Sequence, residues 1–144
     1  MTVCDTGPIL SAINRAEGRR NRFAEGLLAG LGRGALVPWP VLVEVDLFLR
    51  GRGHAAAATA FGYSVHQGVH RLVTPTDREL ALALDLAERF GDSGVDLSDL
   101  TVMAIAAERS ATILTWDFRH FRSVVLGRGH HWPFLVDEHE LPQP

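Results

Sequence analysis

The sequence predicts an α/β fold with a mostly parallel sheet, because short apolar runs of strand length are separated by longer segments whose apolar residues recur at helical spacing. Glycines and prolines cluster between these segments, and two of the strands run directly into an aspartate where the chain turns. With 144 residues the chain has the length of one domain, residues 1–144, with a frayed end expected from about residue 140, where Pro142 and Pro144 lie.

Thr2 to Cys4 reads as a strand ending at Asp5, and Thr6-Gly7-Pro8 opens a helix with proline in its first turn. A second helix runs from about Arg20 to Leu31 and is closed by Gly32 and Gly34. Ala35 to Val37 is a buried strand before the Pro38-Trp39-Pro40 break. Pro40 to Arg50 is a third helix ended by Gly51 and Gly53, and His54 to about Tyr63 is a fourth. Val69 to Val73 is a strand. Thr76 and Glu79 form a T-x-x-E capping box at the head of a helix carrying Leu80, Leu84, Ala87 and Phe90. Gly91 to Gly94 is a turn, Ser98 to Arg109 a helix, Thr112 to Thr115 a strand, and Phe134 to Val136 a last short strand.

Composition excludes several chemistries. Acidic residues number 17 against 14 basic ones, a net charge of -3, and all 14 basic residues are arginine. Without lysine there is no P-loop phosphate ligand and no amine for Schiff-base or pyridoxal chemistry. Phospho-aspartate receivers and haloacid-dehalogenase-type phosphatases, which set a lysine against the phosphoryl group, are disfavoured for the same reason. Cys4 is the only cysteine, which excludes an internal disulfide and a cysteine zinc site. The apolar run through Val37 to Val43 is well short of the roughly 18 residues a membrane helix needs, so a cytoplasmic protein is expected.

Four carboxylates stand out. Asp5 and Asp117 lie at the carboxyl ends of strands, where open α/β sheets bind ligands, although each could instead cap the turn that follows. Glu44 has only Pro40, Val41, Leu47 and Phe48 three and four residues away on its helix, whereas Asp46 and Asp85 each have an arginine four residues on. A buried carboxylate at Glu44 needs a proton, a distant arginine or a metal ion. Asp99 lies in the first turn of its helix near Val95, Val102 and Met103, with no base within a turn; Asp96 reads first as that helix's N-cap and is an additional candidate acid. Such a set of oxygens suits a hard divalent cation, magnesium or manganese, able to activate water toward a phosphodiester.

The segments Val3-Cys4-Asp5-Thr6, Pro40 to Val45, Leu97-Ser98-Asp99 and Ile113 to Phe121, in this order and spacing, resemble a PIN-domain ribonuclease, specifically a VapC-type toxin of a bacterial toxin-antitoxin pair. The resemblance implies a three-layer α/β/α sandwich and a Mg2+- or Mn2+-dependent endoribonuclease that leaves 5'-phosphate and 3'-hydroxyl ends. It maps the catalytic acids onto Asp5, Glu44, Asp99 and Asp117. Asp5, Asp99 and Asp117 would hold the metal or its waters, Glu44 would help hold the site or a second ion, and Thr6 and Thr115 would support the carboxylates. It also implies a small inhibitory antitoxin and a homodimer. Phe118 stands where the family usually has a polar or basic residue.

Arg119, His120 and Arg122, with Arg128, are candidate RNA contacts beside Asp117, and Arg15, Arg19, Arg20 and Arg22 form a second basic cluster. His120 could equally meet a carboxylate. The stripes Leu27, Leu28, Leu31 and Val41, Val45, Leu49 fit either a partner groove or the core. Gly91-Asp92-Ser93-Gly94 is a turn rather than a protease nucleophile loop, and His120, His130 and His131 match no zinc spacing. Two other functions compete with the nuclease: a catalytically silent module whose acids receive a basic partner, and a metal-dependent phosphatase.

Overall fold

The structure, a computed structural model, describes residues 1–144. Four strands, Thr2–Cys4 (β1), Ala35–Pro38 (β2), Arg71–Val73 (β3) and Thr112–Leu114 (β4), form one sheet in the order β3-β2-β1-β4, and every neighbouring pair is parallel. Val3 pairs with Leu36 on one side and Ile113 on the other. All residues of β1 and β2 are buried, as strands covered on both faces require.

Seven α-helices flank the sheet: Thr6–Ile13 (α1), Arg19–Leu31 (α2), Trp39–Gly51 (α3), Ala55–His66 (α4), Asp77–Phe90 (α5), Leu97–Arg109 (α6) and Phe118–Arg122 (α7). The chain steps outward from β1 to β2 to β3, then crosses back to β4 on the far side of β1. Right-handed crossovers therefore put α1 to α4 on one face and α5 and α6 on the other. The loops after β1 and β4 meet where the strand order reverses, and Asp5 N donates to Leu114 O (2.9 Å) across that junction.

Three local expectations change. β3 begins at Arg71 rather than Val69, because Val69 N still donates to Ser64 O at the end of α4, with Gly68 at φ +84° making the turn. Phe134 makes only an isolated bridge to Ile113; Pro133, which has no N–H, precedes it. Residues 118–122 form a helix of five residues, too short for a period to show. The stripes on α2 and α3 belong to the core: Leu28, Val41, Val45 and Leu49 are buried, and Leu27 and Leu31 pack against them. From Asp137 a capped turn runs to Glu140, and Arg20 Nε donates to Pro142 O (2.9 Å).

The capping box on α5 is present, and its glutamate has a second task. Glu79 Oε1 accepts from Thr76 N (2.9 Å), while Arg109 at the end of α6 donates Nε to Oε2 (2.8 Å) and a terminal nitrogen to Oε1 (2.9 Å). The Arg109 bonds, outweighing burial, hold the Glu79 carboxyl below the usual range. Its contribution to stability is thus complete at neutral pH and is lost as the pH falls through that lowered value. Arg109→Met is expected to cost about 3 kcal/mol in urea denaturation at pH 7, because it strands a buried charge, and less once acid protonates Glu79. A cost below about 0.5 kcal/mol would contradict this role.

Candidate active site

Asp5 leaves β1 as the N-cap of α1, so its carboxylate is set at the sheet's carboxyl edge by the backbone it caps. Oδ1 accepts from Thr6 N (2.8 Å) and Oδ2 from Thr115 Oγ1 (2.7 Å), and the residue is only 5% exposed. Capping and presentation to the cleft are here one geometry. Thr115 Oγ1 also accepts from Asp117 N (2.9 Å), so one hydroxyl ties the two strand-end aspartates together.

Glu44 reaches the same place from α3. Its Oε1 accepts from Thr6 Oγ1 (2.7 Å) and from Ser98 Oγ (3.0 Å), so both protein donors fall on one oxygen. Asp99 arrives from the first turn of α6, where it and Asp96 form a reciprocal capping box: Asp96 Oδ1 accepts from Asp99 N (2.9 Å) and Asp99 Oδ2 from Asp96 N (3.2 Å). Asp96 is exposed and serves as the cap. Asp117 starts α7 without capping it, and its two oxygens contact His120 Nδ1 at 2.7 and 2.9 Å.

These side chains line a cleft of about 550 Å³, with Asp5, Glu44, Asp96, Asp99, Asp117 and His120 as its charged or titratable walls and no arginine among them. Trp116 lines the cleft beside Gly7; a Cβ at Gly7 would sit 3.5 Å from the indole. The ring is fixed by Nε1 donating to Ser11 Oγ (2.9 Å) and by stacking with Phe23 at 6.3 Å. Sequence reasoning did not single out Ser11, Ser98 or Trp116, whose contacts bridge 54 to 105 residues of chain.

Of the expected RNA contacts, Arg119 is exposed on α7, His120 is taken by Asp117, and Arg122 is paired with Glu138 (2.8 Å). An adjoining cavity of about 590 Å³ shares Gly7, Leu10 and Trp116 with the cleft and carries Arg15, Arg20 and Arg52 on its lining. Asp137, His139 and Glu140 also gather, with donor atoms within 4.8 Å, but all three are exposed, and Asp137 and Glu140 cap each other's backbone.

Burial, followed by the Glu44 and Asp117 charges, pushes Asp5 up to about 6 against its hydrogen bonds from Thr115 and Thr6. Burial and then Asp5, Asp96 and Asp117 drive Asp99 well above the usual carboxylate range. The acids therefore offer carboxylate oxygens, charged at a cost, with no arginine on the cleft lining to relieve them. That fits a hard divalent cation that keeps several waters.

A carboxyl whose folded-state value is raised adds stability in acid, and the contribution is lost as the pH rises through about 6 for Asp5. In EDTA, wild type is expected to lose on the order of 3 kcal/mol between pH 4 and pH 8 from Asp5 alone, and Asp5→Asn to melt with a correspondingly flatter pH dependence. Equal slopes for the two proteins in thermal denaturation would contradict the burial of an uncompensated charge.

Comparison with known proteins bears on the family and the fold. The PIN domain profile matches residues 2–125. No curated protein sequence matches significantly. Among solved structures, Mycobacterium tuberculosis VapC20, described as a Sarcin-Ricin loop cleaving toxin, superposes with a TM-score of 0.68 at 20% identity, over 78% of this chain and 85% of that one. A toxin-antitoxin complex from Klebsiella pneumoniae gives 0.63 at 15% identity, over 94% and 100%. FitAcB from Neisseria gonorrhoeae gives 0.62 at 17%, over 85% and 92%. These likenesses speak to the fold, and the profile spans most of the sequence: the chain belongs to the PIN domain family.

Proposed function

We propose that the protein is a Mg2+- or Mn2+-dependent endoribonuclease acting as the toxin of a type II toxin-antitoxin pair. The observation that carries the reading is the convergence of Asp5, Glu44, Asp99 and Asp117 on one cleft whose lining holds no arginine. Family membership and the toxins among the structural neighbours support it.

Asp5, Asp99 and Asp117 would hold the cation or its waters, and Glu44 would complete the set. Once bound, the cation supplies an acidified water and positive charge against a phosphodiester. Thr6 and Ser98 orient Glu44 by donating to Oε1, which keeps its other oxygen available. Thr115 orients Asp5 and the backbone of Asp117. Addition of water at phosphorus with departure of the 3'-oxygen leaves a 5'-phosphate and a 3'-hydroxyl. Arg119 on α7 and Arg15, Arg20 and Arg52 in the adjoining cavity would meet the backbone of single-stranded or looped RNA.

The same reading includes an antitoxin and a second copy of the chain as partners. α3 turns Trp39 (53% exposed), Val43, Leu47 (66%) and Phe48 outward, an apolar face that suits such contacts. The toxin-antitoxin complex among the structural neighbours supports the antitoxin. No helix is long and apolar enough to cross a membrane.

Cleavage of a structured RNA in Mn2+ tests the proposal. Wild type is expected to cut, EDTA to abolish cutting, and Asp5→Asn or Asp99→Asn to lower the rate at least about 100-fold. Cutting that survives EDTA, or equal rates in all three proteins, sinks the nuclease. Hydrolysis of phosphomonoesters in place of RNA favours the phosphatase, and the absence of any turnover favours a silent module that receives a basic partner.

A further inference from the structure

We infer that His120 is a positioning residue, holding the Asp117 carboxylate where it can serve cation binding in the cleft; this rests on the metal-dependent reading above. Asp117 occupies the N-cap of α7, where a carboxylate ordinarily turns back to accept from the first amides of its own helix. It makes no such bond. Both of its oxygens instead contact Nδ1 of His120, at 2.7 and 2.9 Å, so the side chain is drawn away from the helix end and toward a neighbour that also lines the cleft.

One edge of the half-exposed imidazole is packed. Gly94, in the loop between α5 and α6, has φ +83°, and a Cβ there would sit 3.0 Å from His120 Nε2 and 3.2 Å from Cδ2. A side chain at this position would push the ring aside by a few tenths of an ångström, on a backbone that itself favours glycine. Val95 beside it is buried and fixes that loop to the core. On the other side, Thr115 holds Asp117 by its backbone N–H and leaves the carboxylate untouched. The orientation of the carboxylate therefore depends on His120 alone among the protein's donors, and losing Nδ1–H frees Asp117 to cap its own helix.

Titration of the full-length protein with Mn2+, following unbound Mn2+ by electron paramagnetic resonance, tests this without any turnover. His120→Leu is expected to weaken Mn2+ binding about 10- to 100-fold. His120→Asn, whose side-chain N–H falls near the place of Nδ1, is expected to stay within about threefold of wild type. Leu at 120 binding Mn2+ as tightly as wild type, or more tightly, overturns the inference, as does Asn failing to the same extent as Leu. A wild type that binds no Mn2+ overturns the metal-dependent reading itself, and the inference with it.

Discussion

Repulsion among four carboxylates that share a cleft with no arginine on its lining is the constraint around which the rest of this structure is arranged. The fold brings the acids together by topology: the strand order reverses at β1, so the loops after β1 and β4 meet there, and α3 and α6 add one acid each. Part of the repulsion is offset locally. Asp5 caps α1 and Asp99 lies in the first turn of α6, both at the positive ends of helix dipoles. Hydroxyls of Thr6, Ser98 and Thr115 donate into the cluster. These are neutral donors, and burial still keeps Asp5 and Asp99 hard to ionise.

Helix α6 shows how differently the protein treats its two ends. At its N-terminus Asp99 has no basic partner; at its C-terminus Arg109 grips buried Glu79 with two bonds. Ten residues of helix put these about 15 Å apart, beyond the roughly 8 Å over which charge acts in physiological salt. The distal pair can stabilise the packing of α5 on α6 without neutralising the cleft. Core burial of α6, from Leu100 to Ala106, lets one rigid element hold both.

Much of this was legible in the sequence because it is local. The strand-end positions of Asp5 and Asp117, the isolation of Glu44 on its helix and the capping signals at Thr76 and Asp96 all lie within a few residues of one another, where spacing is informative. What was not legible is long-range. Ser98 meets Glu44 across 54 residues, and Trp116 meets Ser11 across 105, and no spacing rule predicts such pairs. The apolar stripe of Val41, Val45 and Leu49 could face a groove or the core until the sheet beneath it was known. His120 was readable as near Asp117, whereas its contact with both carboxylate oxygens and its packing against Gly94 depend on where the loop between α5 and α6 meets α7.

The central claim is that this cluster exists to hold a divalent cation. Anomalous diffraction at the manganese edge, from crystals grown with Mn2+, examines it most directly. The account predicts a peak in the cleft among Asp5, Asp99 and Asp117. A cleft without a peak, or manganese found only at the exposed Asp137, His139 and Glu140, would contradict it.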